Sequence, residues 1–188
     1  MTNAIRAYSL GYEGISLDRY VEILKENEIT AVVDVRETPW SYKRGFSKKP
    51  LSERLEAEGI FYLHVKSAGN PSRNRKMGLP QHSVIELYKE HLDANPSCLD
   101  QIYNLIKSLP GAVCLLCFER EPSDCHRKVI LDRIVQKRSR NVMSCHLYGH
   151  TQPLEEPNAA QRIPQSNDRE RAGVHMKVAE DERRLVAI

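Results

Sequence analysis

The chain has 188 residues, enough for one domain with a core that folds without covalent staples. Apolar residues make up 40% and charged residues 28%, ordinary values for a soluble globular protein, and a net charge of +3 says little by itself about a polyanionic partner. The absence of any 18-residue apolar run in the chain excludes a membrane-spanning helix. The opening "MTNAIRAYSLGYEG" lacks the basic segment and apolar core of a signal peptide and reads as a strand. Five cysteines, an odd number set inside apolar runs, lead us to expect free thiols and a cytoplasmic location.

In chain order, "AIRAYSLGY" at 4–12 is the first expected strand. "SLDRYVEILKENE" at 16–28 sets Leu17, Tyr20, Val21 and Leu24 at helical spacing behind a Ser16 N-cap. "AVVDV" at 31–35 is a continuous apolar run, typical of a strand buried on both faces. A basic loop, "RETPWSYKRGFSK", leads to a helix at 50–59 closed by Gly59, and "IFYLHV" at 60–65 is the third strand. Residues 66–80 form a long loop rich in turn formers and basic side chains, a length that points to function or disorder. Two helices follow, with core positions Val84, Leu87, Tyr88 and Leu92 in one and Leu99, Ile102, Tyr103 and Ile106 in the other. The most apolar strand is expected at 112–118, then a helix from 123 capped by Ser123 or Asp124, then an alternating strand at 142–149.

Strands alternating with helices predict an α/β domain over residues 1–150: three layers, a mostly parallel sheet of about five strands, and helices on both faces. Residues 151–188 change in composition and are expected to be a mobile charged tail. That tail carries six of the 28 Lys and Arg and seven of the 25 Asp and Glu, so the whole positive excess belongs to the first 150 residues.

Open parallel sheets bind ligands beyond the carboxyl ends of their strands. Such an edge would gather Tyr12 after the first strand, Asp34 and Arg36 after the second, His64 at the third and Glu119 after the fourth. The basic stretches "YKRGFSKK" and "SRNRK" leave from the same edge. In the first of them Lys43, Arg44, Lys48 and Lys49 alternate with aromatic residues, a composition suited to stacked bases and phosphates. A solvated loop pinned by Trp40, Tyr42 and Phe46 is the equal alternative.

The stretch "CLLCFEREPSDCHRK" admits several readings. A zinc site drawn from Cys114, Cys117, Cys125 and His126 is set aside, because residues three apart on a strand face opposite ways and no second Cys/His pair stands at finger spacing. A C-x5-R phosphate loop from Cys114 to Arg120 is rejected, because a buried strand cannot wrap an anion. The remaining reading places Cys125, His126 and Arg127 in the first turn of a helix. Unpaired N–H groups and the helix dipole there favour an anion, Arg127 would clamp it, and the Cys125 thiol would be activated. The plain alternative is a buried Cys125 and an Arg127 paired with Glu119 or Asp34.

The segments "YSLGYEG", "VVDVRETPWS", "FYLHVKSAGN" and "LLCFEREPSDCHRKVI" resemble, in order and spacing, the DUF488 family over roughly residues 5–150. The resemblance implies a small cytoplasmic α/β domain of undefined reaction. It carries over Gly11, Tyr12, Asp34, Arg36, Pro39, Ser41, His64, Glu119, Cys125, His126 and Arg127 as motif residues. Family members often have a Leu-Gly-Gly run after the His64 position; this chain has "KSAGNPS", with only Gly69 to correspond.

Two functional classes stay open. One is an enzyme-like site for a phosphorylated small molecule or nucleic acid. There Cys125 is the nucleophile, His64, His126 or Glu119 the acid or base, and Arg127, Arg36, Asp34, Tyr12, Ser41, Lys43 and Arg44 the ligand contacts. The other is a non-catalytic module that binds nucleic acid or a protein. No cofactor or membrane partner is expected and no metal ligand is assigned, recruitment of a metal by Glu119, His126 and Asp34 being left open, and the tail could serve a regulatory partner.

Overall fold

The structure, a computed structural model, describes residues 5–138 and 142–149. The segment 151–188, expected to be a mobile tail, lies outside the described residues. Five strands, β1 (Ile5–Gly11), β2 (Ile29–Asp34), β3 (Phe61–His64), β4 (Ala112–Cys117) and β5 (Val142–Leu147), form one sheet in the order β3-β2-β4-β1-β5. All four pairings are parallel.

Helices α1 (Leu17–Glu26) and α2 (Lys48–Glu56) cover one face, and α4 (Gln81–Ala94), α5 (Pro96–Ser108) and α6 (His126–Arg138) cover the other. The strands alternate between these layers. Leu10, Val32, Cys114 and Leu116 pack with Tyr20, Leu24, Leu51 and Leu55. Ala7, Val33, Val113 and Leu115 pack with Tyr88, Leu92, Ile102 and Ile130. This is the three-layer α/β domain that the order of elements predicts.

The local signals largely hold. Ser16 caps α1 by accepting from the Arg19 N–H at 3.1 Å. Gly59, at φ +74°, closes α2 in a Schellman arrangement: Ile60 N–H reaches Leu55 C=O and Gly59 N–H reaches Glu56 C=O. In α4 Val84, Tyr88 and Leu92 are buried as expected and Ile85 joins them, whereas Leu87 is only partly covered. The 66–80 loop contains a short 3₁₀ turn (Lys66–Ala68) and a helix, α3 (Ser72–Lys76). Residues Pro122–Asp124 form a second 3₁₀ turn, so α6 starts at His126 and Cys125, in extended backbone, takes the capping position expected of Ser123 or Asp124.

Neighbouring strands β2 and β4 send their following helices to opposite faces, α2 to one and α6 to the other. A crevice must open where two such connections diverge, and in parallel sheets that is where ligands bind.

Candidate functional site

A cleft of about 410 Å³ occupies that divergence. Its floor is formed by Tyr12, Arg36, Cys117, Glu119 and His126, from the ends of β1, β2 and β4 and the start of α6. Its mouth is formed by Trp40, Ser41, Tyr42 and Lys43 from the loop after β2, and by Asn70 and Arg75 from the segment after β3.

Two glycines make the convergence possible. A Cβ on Gly11 would stand 1.8 Å from the Glu119 carbonyl oxygen, and one on Gly69 would stand 2.2 Å from the Glu37 nitrogen. Both positions need the bare backbone for close approach.

Asp34, fully buried at the end of β2, organises one wall. It accepts from Arg36 Nε at 2.8 Å and Nη2 at 2.5 Å, and from the Tyr62 hydroxyl at 2.7 Å. Arg36 Nη1 donates to the Tyr12 hydroxyl at 2.9 Å and the Phe46 carbonyl at 2.8 Å. Burial opposes the guanidinium charge, but Asp34 outweighs it and Arg36 holds its proton more tightly than a free arginine. Tyr12 stacks on Phe46 at 4.2 Å, and Phe46 is fully buried. Phe46 therefore pins the loop, while Trp40 and Tyr42 stay 57% and 93% exposed at the mouth. Of the three aromatic residues, Phe46 alone is buried as the pinned-loop reading expects.

Lys43 donates to the Tyr12 carbonyl at 2.9 Å, and desolvation lowers its ammonium pKa below the usual value. The Ser41 hydroxyl accepts from the Lys43 N–H at 3.1 Å, which shapes the turn. Arg75 lies 3.8 Å from Glu37 and is more than half exposed. Arg44 is exposed and is not part of the cleft wall.

The Cys125–Arg127 segment differs from the helix-start anion cradle. Arg127 is fully buried, with its guanidinium turned inward. It donates to the carbonyls of Glu119 at 2.5 Å and Arg120 at 2.8 Å and to the Ser9 hydroxyl at 3.3 Å. It ties the chain leaving β4 to α6 and does not line the cleft; its partner at Glu119 is the backbone carbonyl, not the carboxylate that the plain alternative expected. Cys125 is 1% exposed, and burial pushes its thiol well above the ordinary value instead of down. The field of the helix start is outweighed by the loss of water.

His64 sits on the edge strand, one strand removed from the crevice. It bonds the Arg36 carbonyl through Nε2 at 2.8 Å and does not line the cleft. Glu119 and His126 do line it. Cys114 and Cys117 belong to opposite core layers, as strand geometry requires.

Cys117, set aside as a zinc ligand on the sequence alone, joins a cluster. Its Sγ lies 3.0 Å from Glu119 Oε2, as does the Sγ of Cys125, and the two sulfurs stand 3.6 and 3.9 Å from His126 Nδ1. One donor atom from each of the four residues falls within 4.8 Å of the others, the spacing of a metal-ligand set. Period-two alternation was the available signal, since it carries positions 117 and 119 to the same side of the chain.

The fold and this crevice define a parallel three-layer α/β domain with a polar, aromatic-rimmed cleft at its topological switch point. The family model for a domain of unknown function, DUF488, matches residues 16–134, well over half of the chain, and the chain belongs to that family. Searches of curated proteins and of solved structures find no match. No helix among the described residues is long and apolar enough to cross a membrane.

Proposed function

We propose that the cleft binds a nucleotide unit, a base with its phosphate, taken as a free nucleotide or as part of a single strand. The observation that carries this is the mouth. Two exposed aromatic rings, Trp40 and Tyr42, share the mouth of one cleft with Lys43 and Arg75, the latter 3.8 Å from Glu37. Rings of this kind stack on any base, and the cations suit phosphate oxygens. The volume of about 410 Å³ suits one nucleotide, within the usual range for small-molecule pockets. Further cations, Arg44, Arg73 and Lys76, are exposed on the two rim segments and would extend a binding track for a longer strand.

The groups placed to act on a bound ligand are Glu119 and His126, which reach the cleft floor. A thiol nucleophile at Cys125 is disfavoured by its burial and raised pKa. Arg127 contributes by holding the loop, not by touching the ligand.

Fluorescence anisotropy of a labelled single-stranded oligonucleotide tests this reading, with unlabelled mononucleotide as competitor. Lys43→Gln and Arg75→Gln should each weaken binding about tenfold, since a charge-assisted hydrogen bond is worth about 1.5–3 kcal/mol. Each should also lower the slope of log affinity against log salt by about one. Competition by mononucleotide marks a one-nucleotide site, and its failure a strand site. Wild-type affinity and salt slope in both variants would remove the cleft as the binding surface.

A further inference from the structure

Nucleotide binding gives no reason for two cysteines to stand against Glu119 and His126 at the cleft floor. Cys117, Cys125 and His126 are buried, and Glu119 is half-buried beside them. An ordinary core does not collect two thiols, a carboxylate and an imidazole at one point. Thiols are weak donors, so two S–H groups compensate poorly for desolvating a carboxylate. A cation at the centre would satisfy all four.

The distances fit. Zinc–sulfur and zinc–nitrogen bonds of about 2.3 and 2.0 Å at a tetrahedral angle give ligand–ligand edges of about 3.5–3.8 Å. The sulfur–nitrogen separations are 3.6 and 3.9 Å. The sulfur–carboxylate separations of 3.0 Å are shorter, so the Glu119 carboxylate has to withdraw slightly toward the cleft to admit an ion.

Orientation supports the same conclusion. The His126 Nε2–H donates to the Val35 carbonyl at 2.7 Å. That bond leaves the lone pair on Nδ1, the nitrogen facing the sulfurs. Metal-bound histidines are held in this way by a carbonyl on the opposite nitrogen. The ring is also steadied edge-on by Tyr88 at 5.1 Å.

We propose that Cys117, Cys125 and His126, with Glu119 as the fourth ligand on the cleft side, bind a divalent ion of the zinc class. Two thiolates and an imidazole select for such an ion over magnesium or calcium, which take oxygen ligands. Glu119 is the ligand a cleft molecule could displace, because Cys125 is sealed in the core and Glu119 is not.

The inference is independent of nucleotide binding, and its test contains no nucleotide. The full chain, reduced and stripped of metal, is titrated with cobalt(II) and then zinc(II). About one equivalent should saturate a sulfur-to-cobalt charge-transfer band in the near ultraviolet, together with the strong visible bands of tetrahedral cobalt. Zinc should then abolish both, because it binds such ligands more tightly than cobalt. Cys125→Ser should lose roughly half of the charge-transfer band, Cys117 remaining as the other thiolate, and Cys145→Ser, at an exposed cysteine, should keep all of it.

Glu119→Gln is the second variant, chosen because its side chain reaches the cleft. It should keep the band and bind cobalt more weakly. A wild-type chain without a charge-transfer band at one equivalent overturns the proposal whatever the variants do. So does an undiminished band in folded Cys125→Ser.

Discussion

Asp34→Ala should be the most destabilising single substitution in the cleft wall, costing about 3–5 kcal/mol. Breaking a buried ion pair by removing one partner strands the other charge away from water, and that is the range such changes span. Asp34 is fully buried, and its carboxylate takes two guanidinium bonds from Arg36 and one from Tyr62. Without it, the Arg36 guanidinium keeps the Tyr12 hydroxyl and the Phe46 carbonyl as hydrogen-bond acceptors but has no countercharge from Asp34. Urea unfolding should show a lower midpoint with an unchanged slope. The decisive comparison is with Asp34→Ala/Arg36→Met. Removing both charges eliminates the stranded guanidinium, so the double variant should be more stable than Asp34→Ala alone. A double variant as unstable as the sum of the singles would show that the pair is not coupled.

Arg127→Met is the second large effect, at about 2–4 kcal/mol. Methionine keeps much of the apolar stem but cannot donate. The Glu119 and Arg120 carbonyls would lose the bonds the guanidinium gives them, at about 1–3 kcal/mol each, partly offset because a buried charge is also removed. Arg127→Lys should not restore stability, since one ammonium cannot reproduce the fork that reaches both carbonyls and Ser9. A Lys variant as stable as wild type would mean that the charge matters and the fork does not. Because Glu119 follows β4 directly, this variant should also loosen the cleft floor.

The fold was legible because its signals are local. Continuous apolar runs marked β2 and β4, helical spacing marked α1 and α5, and Gly59 marked the end of α2. The convergence of Tyr12, Arg36, Glu119 and His126 followed from one further step, the parallel sheet. Arg127 was less readable. Its place in the first turn of a helix suggested a clamp, but only the approach of Gly11 to Glu119 reveals carbonyls waiting for its guanidinium.

Cys125 was misjudged for a related reason. A helix-start field can be inferred from sequence, whereas the depth of burial that overrides it depends on α4 and β4 closing around the thiol. His64 was placed with the others because every strand end was weighted alike. Strand order, which the sequence does not reveal, puts β3 at the edge. The cluster of Cys117 with Cys125 was hidden by judging Cys117 against Cys114, its neighbour in sequence on the opposite face.

Trp40 is the single tryptophan of the chain and stands at the cleft mouth, so its emission reports on that place alone. Titrating the unlabelled full-length protein with a mononucleotide, and separately with a short single-stranded oligonucleotide, is the most direct test of the cleft as a nucleotide site. Stacking on Trp40 should produce saturable quenching with at least one of them. The response should weaken in Lys43→Gln/Arg75→Gln, which leaves the ring in place but removes the phosphate contacts. Emission unchanged by either ligand at millimolar concentration, or quenching of equal affinity in the double variant, would contradict a base-and-phosphate site at the carboxyl edge of this sheet.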